Sequence, residues 1–190
     1  MTLTRKFSHL FLALAAAAVV SMTNQVDAAT CPALLDKSFP SLLDNKPQSL
    51  CQYAGKVILV VNTASFCGFS PQERGLQELE ARYGPQGFVV LGFPSDDFHQ
   101  EMSSPTRIVA YSRKTYGVQF PLFGISHVTE PDPNPLFADL IHATGTQPKW
   151  NFYKYLIDRD GKVVAVYPSI TTPEDPELNA TIRRLLAQQH

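Results

Sequence analysis

Cys67 lies in ASFCGFSPQE (64–73), between an apolar run and the start of a helix. A cysteine in that place can pack, bind a metal or react. No second cysteine or histidine stands near it at a ligand spacing, so no metal site is expected. Packing as an inert buried thiol and reaction both stay open on the local sequence. Position favours reaction, because Cys67 follows the carboxyl end of a buried strand, where ligands bind in open α/β sheets. Charge favours it too, because unpaired N–H groups at a helix start stabilise a thiolate. Gly68 next to it lets a small substrate approach the backbone closely.

The spacing narrows the chemistry. Dithiol oxidoreductases carry Cys-x-x-Cys at such a place, whereas this chain reads Cys67-Gly68-Phe69-Ser70. No disulfide can cycle within that stretch. A single thiolate that attacks an oxidant and becomes a sulfenic acid, later reduced by another thiol, is the simpler chemistry. The chain has three cysteines, enough for one disulfide and one free thiol. Cys51 precedes the strand that Cys67 follows. Six or seven extended residues separate the strand ends by roughly 20 Å, well beyond the ~7 Å between Cα atoms that a disulfide tolerates. Cys51 is therefore not expected to resolve Cys67. Cys31 and Cys51 bracket a short hairpin and are expected to pair. The open alternative has Cys31, on a chain end, reaching Cys67.

The elements that must position Cys67 follow from periodicity. VILVVN (57–62) is apolar and β-branched throughout, the pattern of a strand buried on both faces. Ser70, Pro71 and Glu73 read as N-cap, first helical residue and capping box, and the helix runs on through Leu76, Leu79 and Tyr83 to Gly84-Pro85. FVVLGF (88–93) is a second buried strand, and strand–helix–strand implies a right-handed parallel crossover. Helices are expected over 105–116, over 134–143 and, amphipathic, over 173–189. FYKYLID (152–158) and KVVAVYP (162–168) flank an Arg159-Asp160-Gly161 turn as a hairpin. A parallel half, then an antiparallel hairpin, with helices on both faces, is the α/β thioredoxin-like plan. It has a mixed central sheet, and residues 33–50 form an added N-terminal β-hairpin.

The chain has 190 residues and 44% hydrophobic content, enough for one domain with a sizeable core. A formal charge of −1 gives no reason to expect nucleic acid or an anionic membrane as partner. Arg5 and Lys6 precede LFLALAAAAVV (10–20), and Val26-Asp27-Ala28 has the small residues a signal peptidase reads. Residues 1–28 are therefore expected to be a signal peptide and 29–190 the folded domain. The 11-residue run is too short to span a bilayer, which needs about 20 residues, so no stable membrane insertion is expected. Loss of Arg5, Lys6 and Asp27 would leave a mature charge of −2. Export to the periplasm or beyond would let a disulfide persist.

GKVILVVNTASFCGFSPQ (55–72), VLGFPSDDF (90–98) and KWNFYKYLIDRDGKVV (149–164) resemble, in order, the glutathione peroxidase family in its cysteine form. The resemblance runs from about residue 33 to the C-terminus. It implies that Cys67 is the peroxidatic cysteine and that Trp150 and Asn151 supply N–H donors to the sulfur and the peroxide. At Asp97 the chain departs from the usual glutamine. An ionised carboxylate cannot donate as an amide does, and near a thiolate it would raise the thiol's pKa. Asp97 is thus a candidate acid or proton shuttle rather than an equivalent. The following FHQE (98–101) runs one residue short, which leaves side-chain placement there open. His99 is expected at the surface. No resolving cysteine stands in YSRKTYGVQFP (111–121), and Ser95 replaces a cysteine common in the family.

The expectation is an exported thiol-dependent peroxidase, without cofactor. It would reduce hydrogen peroxide or organic hydroperoxides through a sulfenic acid on Cys67. Glutathione or a thioredoxin-type protein would be the donor. The short link TEPDPNPLF (129–137) resembles members without a long assembly loop and suggests a monomer. The competing expectation is a thioredoxin-fold binding or scaffold domain with little activity. Asn179-Ala180-Thr181 is a formal glycosylation sequon within a predicted helix and is discounted.

Overall fold

The computed structural model describes residue 2 and residues 31–188, so the expected signal peptide, residue 2 apart, lies outside the described residues. A four-stranded sheet forms the centre. Its strands are β3 (Val57–Thr63), β4 (Phe88–Pro94), β5 (Lys154–Ile157) and β6 (Val163–Tyr167), in the spatial order β4-β3-β5-β6. β3 runs parallel to β4, pairing Val57 with Phe88 through Thr63 with Pro94. β5 is antiparallel to both β3 and β6. The sheet is therefore mixed, with its parallel half first in sequence. Every residue of β3 and β4 is buried, as their unbroken apolar runs require. A separate hairpin, β1 (Ser38–Pro40) with β2 (Pro47–Ser49), precedes the sheet within the stretch expected to hold it.

Helices cover both faces because successive strand residues point to opposite sides. Val57, Leu59 and Val61 pack with Leu76 and Leu79 of α1 (Gln72–Tyr83) and with Leu178, Ile182 and Leu185 of α4 (Pro176–Leu186). Ile58 and Val60 face the other way, toward Leu136, Phe137 and Leu140 of α3 (Pro135–Thr144) and Phe39 of the hairpin. α2 (Pro105–Tyr116) closes a smaller cluster by packing Ile108 and Val109 with Leu42 of the β1–β2 turn. The starts of α3 and α4 follow side-chain chemistry. The Asn134 side chain accepts from Phe137 N–H, and the Asp175 side chain accepts from Glu177 and Leu178 N–H. α4 begins after that cap, three residues later than expected. Asn179 of the discounted sequon is buried, its amide donating to Pro173 and Asp175 carbonyls. No helix among the described residues is long and apolar enough to cross a membrane.

Candidate active site

Cys67 sits in the turn that joins the end of β3 to α1, and the turn is built differently from the sequence expectation. Ser70 does not cap α1; the helix starts at Gln72, and no side chain caps it. The Ser70 hydroxyl instead points its single proton into a cluster of three carbonyls, those of Ala64 (2.7 Å), Ser65 (3.2 Å) and Cys67 (2.6 Å). The S-x-x-E pattern identifies a polar residue at a helix start but not whether it accepts or donates. Here three clustered carbonyls need a donor, and Ser70, itself buried, supplies it. The result is a fixed loop carrying Cys67. Its sulfur accepts the Phe69 N–H at 3.5 Å, a backbone donor of the turn that leads into the helix. The residue is 5% exposed, directly between exposed Phe66 and exposed Gly68. A Cβ built on Gly68 would meet nothing within 4 Å, so the backbone beside the thiol is open.

The facing wall is the segment entering β5, and Asn62 of β3 holds it. The Asn62 amide donates to the Trp150 carbonyl (3.1 Å), its side-chain oxygen accepts from Tyr153 N–H (2.9 Å), and its backbone carbonyl accepts from Phe152 N–H (2.7 Å). This clasp stabilises a left-handed Phe152, with φ 64°, a conformation that a bulky residue adopts only under such constraint. Trp150 and Asn151 are thereby fixed at the mouth of the site. The Trp150 ring is 40% exposed and lies 5.3 Å from the Phe98 ring. Its indole N–H has no acceptor among the described residues. Asn151 is fully buried; its carbonyl accepts from Ser169 Oγ (2.6 Å), and its amide donates to Gln100 Oε1 (3.0 Å). The hydrogen bonds expected from Trp150 and Asn151 to the sulfur are not formed in this structure.

Asp97 faces away from that wall. Its carboxylate accepts from Val128 N–H (2.7 Å), Thr129 N–H (3.0 Å) and Thr129 Oγ1 (3.1 Å), and pairs with His127 Nδ1 at 2.8 Å. Burial pushes its pKa up, but these donors outweigh burial and hold the carboxyl below the ordinary range. At neutral pH Asp97 is thus an anion tied to the 127–129 segment. His99 has φ 54°, and this left-handed turn separates the direction taken by Asp97 from that taken by Gln100. Glu101 accepts from Ser65 and Met102 N–H and so anchors the loop to the residue two before Cys67. A cleft of ≈ 500 Å³ opens beside the loop, lined by Asp96, Asp97, His99, His127 and Glu130 but not by Cys67.

The remaining cysteines are accounted for. Cys31 and Cys51 are joined, with Cα atoms 5.2 Å apart, and Cys67 is free. Among the described residues, one cluster of metal-ligand atoms exists, Cys31, Asp36 and Cys51, and its two sulfurs are bonded to each other. The residues missed in sequence are Asn62, Ser70, Gln100 and Glu101. Asn62 was visible only as one letter of a family pattern, because its three bonds cross to the segment entering β5, about 90 residues later. Gln100 and Glu101 stood in the loop whose short length had already left side-chain placement open.

Comparison with known proteins follows the same line. A family model described as glutathione peroxidase matches residues 37–141. The hydroperoxy fatty acid reductase gpx1 of Synechocystis is 46% identical over 155 residues, covering 76% of this chain and 90% of that protein. Human glutathione peroxidase 7 is 43% identical over 142 residues, covering 73% and 76%. Among solved structures, the apo form of Trgpx superposes with a TM-score of 0.65 at 34% identity, covering 84% of this chain and 98% of that one. The reading as a scaffold without catalysis is thereby set aside. The chain belongs to the glutathione peroxidase family, and its activity is the thiol-dependent reduction of peroxides.

Proposed function

We propose that Cys67 is the single redox-active residue and that the enzyme works without an internal resolving cysteine. The observation that carries this reading is a lone free thiol just under the surface of a fixed loop, with the other two cysteines joined to each other. The thiolate attacks the terminal oxygen of ROOH. The S–O bond forms as the O–O bond breaks, and the departing alkoxide takes a proton and leaves as ROH. Sulfur is oxidised by two electrons to Cys67–SOH. A first donor thiol condenses with it, releasing water and leaving a mixed disulfide. A second donor thiol attacks that disulfide, restores Cys67 and leaves as the donor disulfide. The free indole N–H of Trp150 and the amide of Asn151 serve the peroxide oxygens once substrate is bound, with no cofactor or metal in the cycle.

Phe66, next to Cys67 in the chain, is 62% exposed, and the partly exposed Trp150 ring packs on Phe98, so apolar side chains border the proposed site. Such apolar surface favours an organic hydroperoxide with an apolar body over hydrogen peroxide, in keeping with the name of the Synechocystis relative. Glutathione is the first-choice donor because no second cysteine is at hand to recruit a dithiol protein, which makes a thioredoxin-type donor the alternative. The Cys31–Cys51 disulfide and the N-terminal sequence support an exported, periplasmic enzyme, and the short 129–137 link supports a monomer. The test is turnover of an organic hydroperoxide with glutathione and with thioredoxin in parallel. Turnover with glutathione that disappears in Cys67→Ser, with the melting temperature retained, is expected. Retained turnover in that variant would contradict the assignment.

A further inference from the structure

Resting on the peroxidase reading, we propose that Gln100 is the positioning residue that holds the Asn151 carboxamide against the Cys67 loop. Position 97, where the family usually has its glutamine, holds an aspartate committed elsewhere.

Gln100 is tied to both walls of the site. Its backbone carbonyl accepts the N–H of Phe66, the residue before Cys67, at 2.9 Å. Its side-chain oxygen accepts from Asn151 Nδ2 at 3.0 Å. Asn151 Oδ1 is buried and has no hydrogen-bond partner among the described residues. Gln100 is therefore the protein contact that sets the rotation of this carboxamide. One Asn151 amide proton is used by Gln100, and the second stays free to donate to sulfur or to a peroxide oxygen. Asp97 cannot take over. Its two oxygens already receive three hydrogen bonds from Val128 and Thr129 and pair with His127, and an anion has no proton to give. The left-handed His99 lets a loop one residue short send these two side chains in different directions.

The experiment compares wild type, Gln100→Ala and Gln100→Glu in two readouts. One is kcat/KM for an organic hydroperoxide, and the other is the pH profile of Cys67 alkylation by iodoacetamide, with melting temperatures alongside. Gln100→Ala should lower kcat/KM by about ten- to a hundredfold, the scale of a misplaced catalytic group, and move the alkylation profile to higher pH. Gln100→Glu keeps an acceptor for Asn151 and should recover much of the rate, while its charge still moves the alkylation profile upward. Wild-type values of both readouts in Gln100→Ala would overturn the assignment, whatever the melting temperature. So would Asp97→Asn reproducing a loss that Gln100→Ala lacks. Alkylation needs no turnover, so it reports on Gln100 even in a chain that fails to consume peroxide. That failure would count against the peroxidase reading instead.

Discussion

Single residues here do work that their types alone do not announce. Glu73 looks like the acid of a capping box, yet it is buried, and its Oε2 has no partner among the described residues. Burial pushes its pKa up to about 8; the neighbouring Ser112 hydroxyl opposes this, and the nearby Glu101 charge adds to it. The folded chain thus keeps a proton that the unfolded chain loses near pH 4.5. Folding takes up that proton between about pH 4.5 and 8, so this residue's contribution to stability falls as pH rises through that window. Glu73→Gln keeps the neutral shape and removes the dependence. Urea unfolding should give the variant an advantage on the order of a few kcal/mol at pH 8 that closes near pH 5. A constant difference across that range would mean that Glu73 is ionised in the fold. Lys154, pushed down to about 7 chiefly by burial, works in the opposite direction at higher pH, but it is present in both proteins and cancels from the difference. Cys67 was legible because strand, cysteine and helix start are adjacent in sequence. Asn62 and Gln100 were not, because their partners are long-range.

At the scale of elements, the strands and most helices could be read from periodicity, since burial imposes it directly. β3 and β4 match their apolar runs, and α2 spans the expected 105–116. Loops were less legible, since their geometry depends on where each carbonyl and N–H finds a partner. The loop between β4 and α2 is the clearest case. It places Asp97 on one side and Gln100 on the other through one left-handed histidine. A β-branched residue is strongly disfavoured there, so His99→Val should cost about 1–2 kcal/mol. Glycine, free in this region, should cost much less. Thermal melts and peroxidase rates of His99→Val and His99→Gly check this. The valine variant should lose both stability and rate, and equal behaviour of the two variants would show that the loop carries no strain at His99.

At the scale of the whole molecule, the fold separates the free sulfur of Cys67 from a bonded pair. The sheet carries Cys67 on the face covered by α1 and α4, while partly buried Cys31 packs with the cluster on the opposite face. The Cys31–Cys51 link closes a loop of 20 residues, which in the chain-entropy model stabilises the fold by about 3 kcal/mol. It has no part in turnover in the scheme above. The strand length excluded a Cys51–Cys67 pair in the sequence, but the choice between Cys51 and Cys67 as partner of Cys31 is made only by the fold, and the state of the sulfur depends on a loop visible only in three dimensions. The most direct measurement is to oxidise the intact protein with one equivalent of hydroperoxide, trap sulfenic acid with dimedone and map every cysteine by mass under non-reducing conditions. One dimedone adduct on Cys67 beside an unchanged Cys31–Cys51 disulfide is the expected result. A disulfide joining Cys67 to Cys31 or Cys51, or a Cys67 that stays reduced while peroxide is consumed, would contradict it.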